Sequence, residues 1–241
     1  MTGFLLLFLS GGLPYFHLLE RNGLNSRTIF LVSAAGLLTA IIASLFVSNN
    51  HEPYLVLAAY LNAVFAIYRA TKTTNFYKLA YYLIFINAPF FILFEEKGAL
   101  YSLALLISLG GIYFIARFYE KYYGSANYHY ITGITLATPS IGVFLSLYLI
   151  ALSLYPPFPN SLFFLSHIFK SGLDLLGYIV VITLFFGNFV LSMRVMTKTL
   201  FGRPNTNIHY IDFKTSEILP HAIILAAMVG MSILGLDEVL L

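Results

Sequence analysis

Residues 139–169 read PSIGVFLSLYLIALSLYPPFPNSLFFLSHIF, an apolar run of 31 residues with Pro156, Pro157 and Pro159 in its middle. A bilayer core about 30 Å thick is crossed by roughly 20 residues of helix. The run is therefore long enough to cross and too long to be one regular helix. Each proline removes an amide donor and clashes with the preceding turn, so the stretch reads as a helix broken in the middle. Broken backbone at membrane depth is tolerated only inside protein or along a wet cavity.

Working outward, further apolar stretches lie at 2–19, 28–48, 53–70, 76–94, 98–118, 172–197 and 217–236. Together they predict an all-α polytopic transmembrane bundle of about eight spans. The first stretch is short and interrupted by Gly11, Gly12 and Pro14. Met1-Thr2-Gly3 lacks a basic n-region and no small-residue cleavage site follows, so it is not read as a signal peptide. Composition agrees: of 241 residues 59% are hydrophobic and 10% charged, against roughly 25% charged in soluble domains. The apolar surplus must face lipid. Cysteine is absent, which excludes iron–sulfur ligation, Cys-rich zinc sites and disulfides.

The scarce charges test the span count, because basic residues concentrate in cytoplasmic loops. With eight crossings, Arg21, Arg27, Arg69, Lys72, Lys78, Arg117, Lys121, Arg194, Lys198, Arg203 and Lys214 share one side. The other side holds Lys97 and Lys170 with Glu52, Glu95, Glu96, Asp174, Asp237 and Glu238. Eleven of the thirteen Lys and Arg residues thus sort to one face, and both termini are expected outside the cytoplasm. No loop is long enough to fold alone. No Gly-rich phosphate loop, metal-ligand pair or nucleophilic triad stands out, so neither a metal nor a cofactor is expected. The net charge of +3 is small and scattered, so nucleic acid is not an expected partner. Gly110-Gly111 marks close helix packing.

From about Gly98 onward the chain resembles the antiporter-like membrane subunits of respiratory complex I, membrane-bound hydrogenases and Mrp-type cation/proton antiporters. Four stretches carry the likeness: 98–106; Gly133 through Pro139 to Pro156-Pro157 and 161–164; 187–194 leading to 199–204; and Leu219-Pro220 opening the last helix. The resemblance implies two regions: residues 1–75, transmembrane helices without a recognised motif, and residues 76–241, an antiporter-like region containing the broken helix. It further implies a five-helix unit formed by the third to seventh spans, the family's second unit, with its inverted mate missing. The chain then looks like a half-size member, completed by other membrane subunits and served by soluble redox or coupling subunits on the cytoplasmic side.

The departures from the family pattern matter as much. The family's channel histidine and lysine fall on Gly98 and Ser102, which carry no proton charge, and its small Gly before the Phe pair falls on Leu162. The lysine or glutamate after the broken helix falls at Ser166 or His167.

An ionisable group inside a bilayer costs about 2.5–3.5 kcal/mol on insertion scales and so invites a functional reading. His167, just after the break, is the first proton-path candidate, its ordinary pKa of about 6.5 allowing exchange near neutrality. The alternative is a histidine that merely closes the frayed helix. Lys170 and Asp174, three and seven residues on, either extend an exit relay or form an interfacial loop whose lysine snorkels to water. Glu95-Glu96-Lys97 reads as a solvated loop, Lys78, Arg117, Arg194 and Lys198 as helix-end anchors, and Tyr119, Tyr122, Tyr123, Tyr128 and Tyr130 as an interfacial belt.

The functional expectation is a non-catalytic integral membrane subunit of an ion-translocating respiratory, hydrogenase or antiporter-type complex in a bacterial or archaeal cytoplasmic membrane. The alternatives are a non-conducting structural adaptor that docks other subunits, or the membrane component of an energy-coupled inorganic-carbon uptake complex.

Overall fold

The computed structural model describes residues 2–46, 52–129, 132–133, 138–202, 205, 211 and 213–240, and of residues 95–97 the backbone alone. Tyr130, Arg203 and Pro204, and the side chains of Glu95, Glu96 and Lys97, lie outside the described residues.

Among the described residues every extended element is helical. In chain order these are α1 (Thr2–Leu9), α2 (Tyr15–Arg21), α3 (Ser26–Ser44), α4 (Pro53–Lys72), α5 (Phe76–Phe94), α6 (Gly98–Tyr123), α7 (Pro139–Leu152), α8 (Pro159–Lys170), α9 (Leu175–Thr199) and α10 (Thr215–Leu240). Six of them, α3, α4, α5, α6, α9 and α10, are long and apolar enough to cross a membrane, in keeping with an integral membrane protein.

Local chemistry fixes most ends. Asn25 caps α3 through the Arg27 amide, and Asn75 caps α5 through the amides of Tyr77 (2.9 Å) and Lys78 (3.2 Å). Proline opens α4, α7 and α8, where its missing N–H would have had no helical partner.

Helical backbone continues from Phe76 to Tyr123, but it is a hairpin and not a rod. In a straight helix Asn87 and Tyr101 would stand about 21 Å apart, yet the Tyr101 hydroxyl donates to Asn87 Oδ1 at 2.5 Å. At the other end of the arms the Tyr77 hydroxyl donates to Glu120 at 2.9 Å. Gly98 makes the reversal possible: a Cβ there would lie 3.2 Å from the Phe90 carbonyl oxygen and the Phe91 Cα. The position that the resemblance aligns with a channel histidine is thus one where any side chain would press on the Phe90–Phe91 backbone, which would have to give by a few tenths of an ångström.

The α5 arm is the centre of the molecule, with 89% of its apolar window buried, while α10 is peripheral at 17%. Around the hairpin, Phe30 of α3 stacks on Tyr113, Arg69 of α4 reaches Tyr82, Asn188 of α9 meets Asn87, and Ile224 of α10 lies over Gly110. α7 and α8 climb the hairpin one after the other. Tyr148 sits on Gly111, Asn160 meets Ser108, Phe164 stacks on Phe90, and His167 reaches Phe94. They are 14 and 12 residues long, about 21 and 18 Å, so neither alone matches the roughly 30 Å hydrocarbon thickness while the two in series exceed it.

The proline segment between them interrupts the helix as the sequence predicts, but Tyr155, Pro156 and Pro157 are exposed, so the break reaches the surface and is not enclosed in the bundle interior. Leu154 takes a left-handed φ of 61°, and the hydroxyls of Ser153 and Ser161 donate to the carbonyls of Ile150 (2.7 Å) and Phe158 (2.8 Å) at the two edges of the break, each of which also accepts from a backbone amide. The first apolar stretch is broken as well. α1 and α2 are separated at Ser10–Pro14, and the Asn62 amide of α4 donates to the freed Gly11 carbonyl at 2.7 Å.

The tyrosine belt is corrected in part. Tyr119 and Tyr128 are fully buried, Tyr119 against Phe76 and Tyr128 donating to the Thr73 carbonyl at 2.7 Å. They fill the junction of α4, α5 and α6 because the Asn75–Asn127 bridge folds the segment after α6 back under the hairpin.

Candidate functional site

Helix directions bring the ends of α2, α4, α6 and α9 together with the starts of α3, α5, α7 and α10. This end carries Arg27, Arg69, Lys78, Arg117, Lys121, Arg194, Lys198 and Lys214. From it a line of polar groups runs inward beside the broken helix.

Nearest the basic end, His221 of α10 is 2% exposed, and its Nδ1 lies 2.9 Å from the Tyr148 hydroxyl of α7. Phe144 stacks on the imidazole at 4.7 Å between centroids. Gly111 admits the Tyr148 ring, whose carbons stand 2.5 Å from where a Cβ would be. Of the Gly110-Gly111 pair, Gly111 is the site of close packing that the sequence implies, whereas a Cβ at Gly110 would meet its nearest atom, on Ile224, only at 3.8 Å.

At the break, Ser108 of α6 bridges the Ala104 carbonyl and Asn160 Oδ1, each at 3.1 Å. Asn160, at the start of α8, is fully buried and its Nδ2 has no hydrogen-bond partner among the described residues. An unsatisfied buried amide costs about 1–3 kcal/mol, so this donor is a costly feature at the point where the helix is interrupted. Deeper still, Asn87 and Asn188 exchange two amide bonds at 2.8 and 3.0 Å, with Tyr101 donating to Asn87 and Asn87 also donating to the Leu83 carbonyl at 2.8 Å. This cluster ties α5, α6 and α9 together.

Toward the far end, His167 of α8 is 6% exposed, with its ring 5.8 Å from Phe90 and 5.4 Å from Phe94 and its Nδ1 3.4 Å from the Ser166 hydroxyl. The structure gives the other two sequence candidates separate local partners. Lys170 pairs with Glu238 at 3.4 Å on the surface, and Asp174 caps α9 by accepting from the Gly177 amide at 2.8 Å.

Among the described residues, His167 and His221 are the only buried His, Asp, Glu, Lys or Arg side chains. One stands on each side of the break. No family model and no curated protein matches this chain.

His221 escaped the sequence reading because it follows Leu219-Pro220 at what reads as a helix entrance. The signal was available in principle: His221 lies four residues after Glu217, on the same helical face. Glu20 escaped too. It accepts from Arg69 at 2.6 Å and from the hydroxyls of Tyr81 (2.5 Å) and Tyr82 (2.7 Å). Burial alone raises its pKa, but the two tyrosine donors and the Arg69 charge outweigh it and hold the carboxyl below its usual range. Arg194, expected as a snorkelling anchor, instead donates to the carbonyls of Ala70 and Thr73, both at 2.9 Å. These acceptors lie at the C-terminus of α4, where the helix leaves carbonyls without partners and favours a cation.

Among the described residues no group of three metal-ligating His, Asp or Glu side chains gathers.

Proposed function

We propose that the chain is an integral membrane subunit of an ion-translocating complex, a half-size relative of the antiporter-like subunits, contributing a proton path along its broken helix. The observation that carries this reading is the pair of buried histidines flanking the break, His221 through Tyr148 on α7 and His167 on α8, with the Ser108–Asn160 pair between them. Counting the interrupted pairs α1–α2 and α7–α8 as one crossing each brings the six long helices to about eight. The basic end is then cytoplasmic and both termini lie outside. Steps between the pairs would run through hydrogen-bonded water, which interrupted helices hold through their free backbone groups. Lys170 and Asp174 would mark the exit to the non-cytoplasmic side. Redox chemistry, where present, belongs to partner subunits.

The test is proton flux in vesicles reconstituted with the chain and its co-purifying partners, comparing wild type with His167→Ala and His221→Phe. A drop of tenfold or more in both supports the path, and unchanged flux in both removes the conductive role. A second reading, a structural adaptor that keeps the fold without conducting, draws on Gly98 and Ser102, where the family's ionisable groups are replaced. Loss of assembly on deletion, with all histidine substitutions silent, would favour it.

A further inference from the structure

At the basic end, between the start of α3, the last turns of α6 and the start of α10, lies an open cavity of about 400 Å³, within the roughly 300–1,000 Å³ range of ligand sites. Its walls alternate two chemistries. Phe114, Phe118 and Phe213 supply rings, and Arg27 and Arg117 supply guanidinium groups.

The acidic side chains on the wall are already engaged. Glu217 accepts from Lys121 (2.6 Å), the Tyr122 hydroxyl (2.6 Å) and the Lys214 amide (3.3 Å), and Glu120 accepts from Tyr77. Lys121 is thereby spent on Glu217. Arg27 commits only its Nε, to the Tyr113 hydroxyl at 3.2 Å, and Arg117 has no ion-pair or hydrogen-bond partner among the described residues.

Tyr113 and Arg117 are four apart on α6, so the Tyr113 bond brings Arg27 to the face that carries Arg117. Two guanidinium groups with unspent donors over aromatic walls match a phosphate, which guanidinium forks bind through paired N–H bonds. The flanking helix is α10, the most outward-facing span; Ser216, Glu217, Pro220 and His221 line the cavity, while Ile218 and Leu219 are exposed on the helix's outer face. The surface that flanks the cavity is therefore apolar, and a ligand with a hydrocarbon tail fits better than a free anion.

We propose that this cavity binds the phosphate of an anionic phospholipid, with its acyl chains lying along the outer face of α10. Basic pockets between spans at the cytoplasmic face commonly hold anionic headgroups. The inference does not rest on the transport reading, since it needs only the cavity and its charges.

The experiment is native mass spectrometry of the full chain in neutral detergent, titrated with phosphatidylglycerol or phosphatidylcholine. Wild type should retain one phosphatidylglycerol in preference to phosphatidylcholine. Arg27→Gln/Arg117→Gln should weaken that binding about tenfold, and Ser216→Phe, which fills the cavity without removing charge, should weaken it too. Arg21→Gln, exposed at the same end and outside the cavity, should bind as wild type. Should the double variant lose helix by circular dichroism, Arg117→Gln alone, at an exposed residue, carries the comparison. Equal retention of the two lipids overturns the proposal, as does undiminished binding in the cavity variants or an equal loss with Arg21→Gln. Inorganic phosphate or glycerol phosphate binding as tightly as the lipid overturns the lipid as source and leaves a soluble phosphate site in its place.

Discussion

Replacing Asn188 by Leu and, separately, Asn87 by Leu gives two variants with the same chemistry and unequal costs. Leu keeps the heavy-atom count and branching of Asn while deleting its hydrogen-bonding capacity. In the Asn188 variant, Asn87 keeps the Leu83 carbonyl for its amide and the Tyr101 hydroxyl for its oxygen. What is lost is two interhelical bonds, each about 0.6 kcal/mol between membrane helices, or about 1 kcal/mol together. In the Asn87 variant, Asn188 loses both of its partners in a fully buried site and Tyr101 loses its acceptor. Letting the Tyr101 hydroxyl turn to Asn188 Oδ1 satisfies those two atoms and leaves the Asn188 amide orphaned at about 1–3 kcal/mol, on top of the two lost interhelical bonds at about 1 kcal/mol together. The expected cost is about 2–4 kcal/mol. The assay is reversible unfolding in mixed micelles by SDS titration, followed by far-ultraviolet circular dichroism. The Asn87 variant should unfold at distinctly lower SDS than the Asn188 variant, and a double variant should be less destabilised than the sum. Equal destabilisation of the two single variants, or strict additivity, would refute the network as drawn.

Two further outcomes follow from the same geometry. Gly111→Ala should destabilise by about 1–3 kcal/mol, because its Cβ would meet the Tyr148 ring at 2.5 Å, whereas Gly110→Ala, with its nearest atom at 3.8 Å, should be neutral in the same SDS titration. Glu20, whose folded carboxyl is held below its ordinary value by Tyr81, Tyr82 and Arg69 against the opposing effect of burial, contributes stability that is present above the unfolded carboxylate pKa of about 4.3 and is lost as pH falls through the lower folded value. Melting temperature against pH should therefore flatten at its acid limb in Glu20→Gln, and an unchanged limb would remove Glu20 as a contributor.

Much of the architecture was legible because it depends on short-range properties. The stretches at 53–70, 76–94 and 98–118 coincide within a few residues with α4, α5 and α6, since hydropathy over a window reports directly on whether a helix can face lipid. The break at Pro156, Pro157 and Pro159 was equally readable, because proline acts on its own turn. The interrupted start at Gly11, Gly12 and Pro14 yields α1 and α2 for the same reason. The site was less legible. His167 was found from its neighbours in sequence, whereas His221 acquires meaning only when α10 crosses α7 and sets it against Tyr148. Lys170 and Asp174 share a helical repeat with His167 on paper, but α8 ends at Lys170, and Asp174 turns to cap the next helix.

The sequence by itself determined that this chain is helical, that its apolar surplus faces lipid, and that its cations gather at one end, because composition, helical length and proline chemistry are local quantities. Only the tertiary structure decided that the backbones of α5 and α6 close up against Gly98, that α5 lies at the centre and α10 at the edge, and that Asn87, Asn188 and Tyr101 meet. Those outcomes depend on which apolar face packs against which. In a chain where nearly every helix is apolar on all sides, hydropathy gives no preference among partners. Small residues and a few buried hydrogen bonds make the choice, and their effect exists only once the helices are side by side.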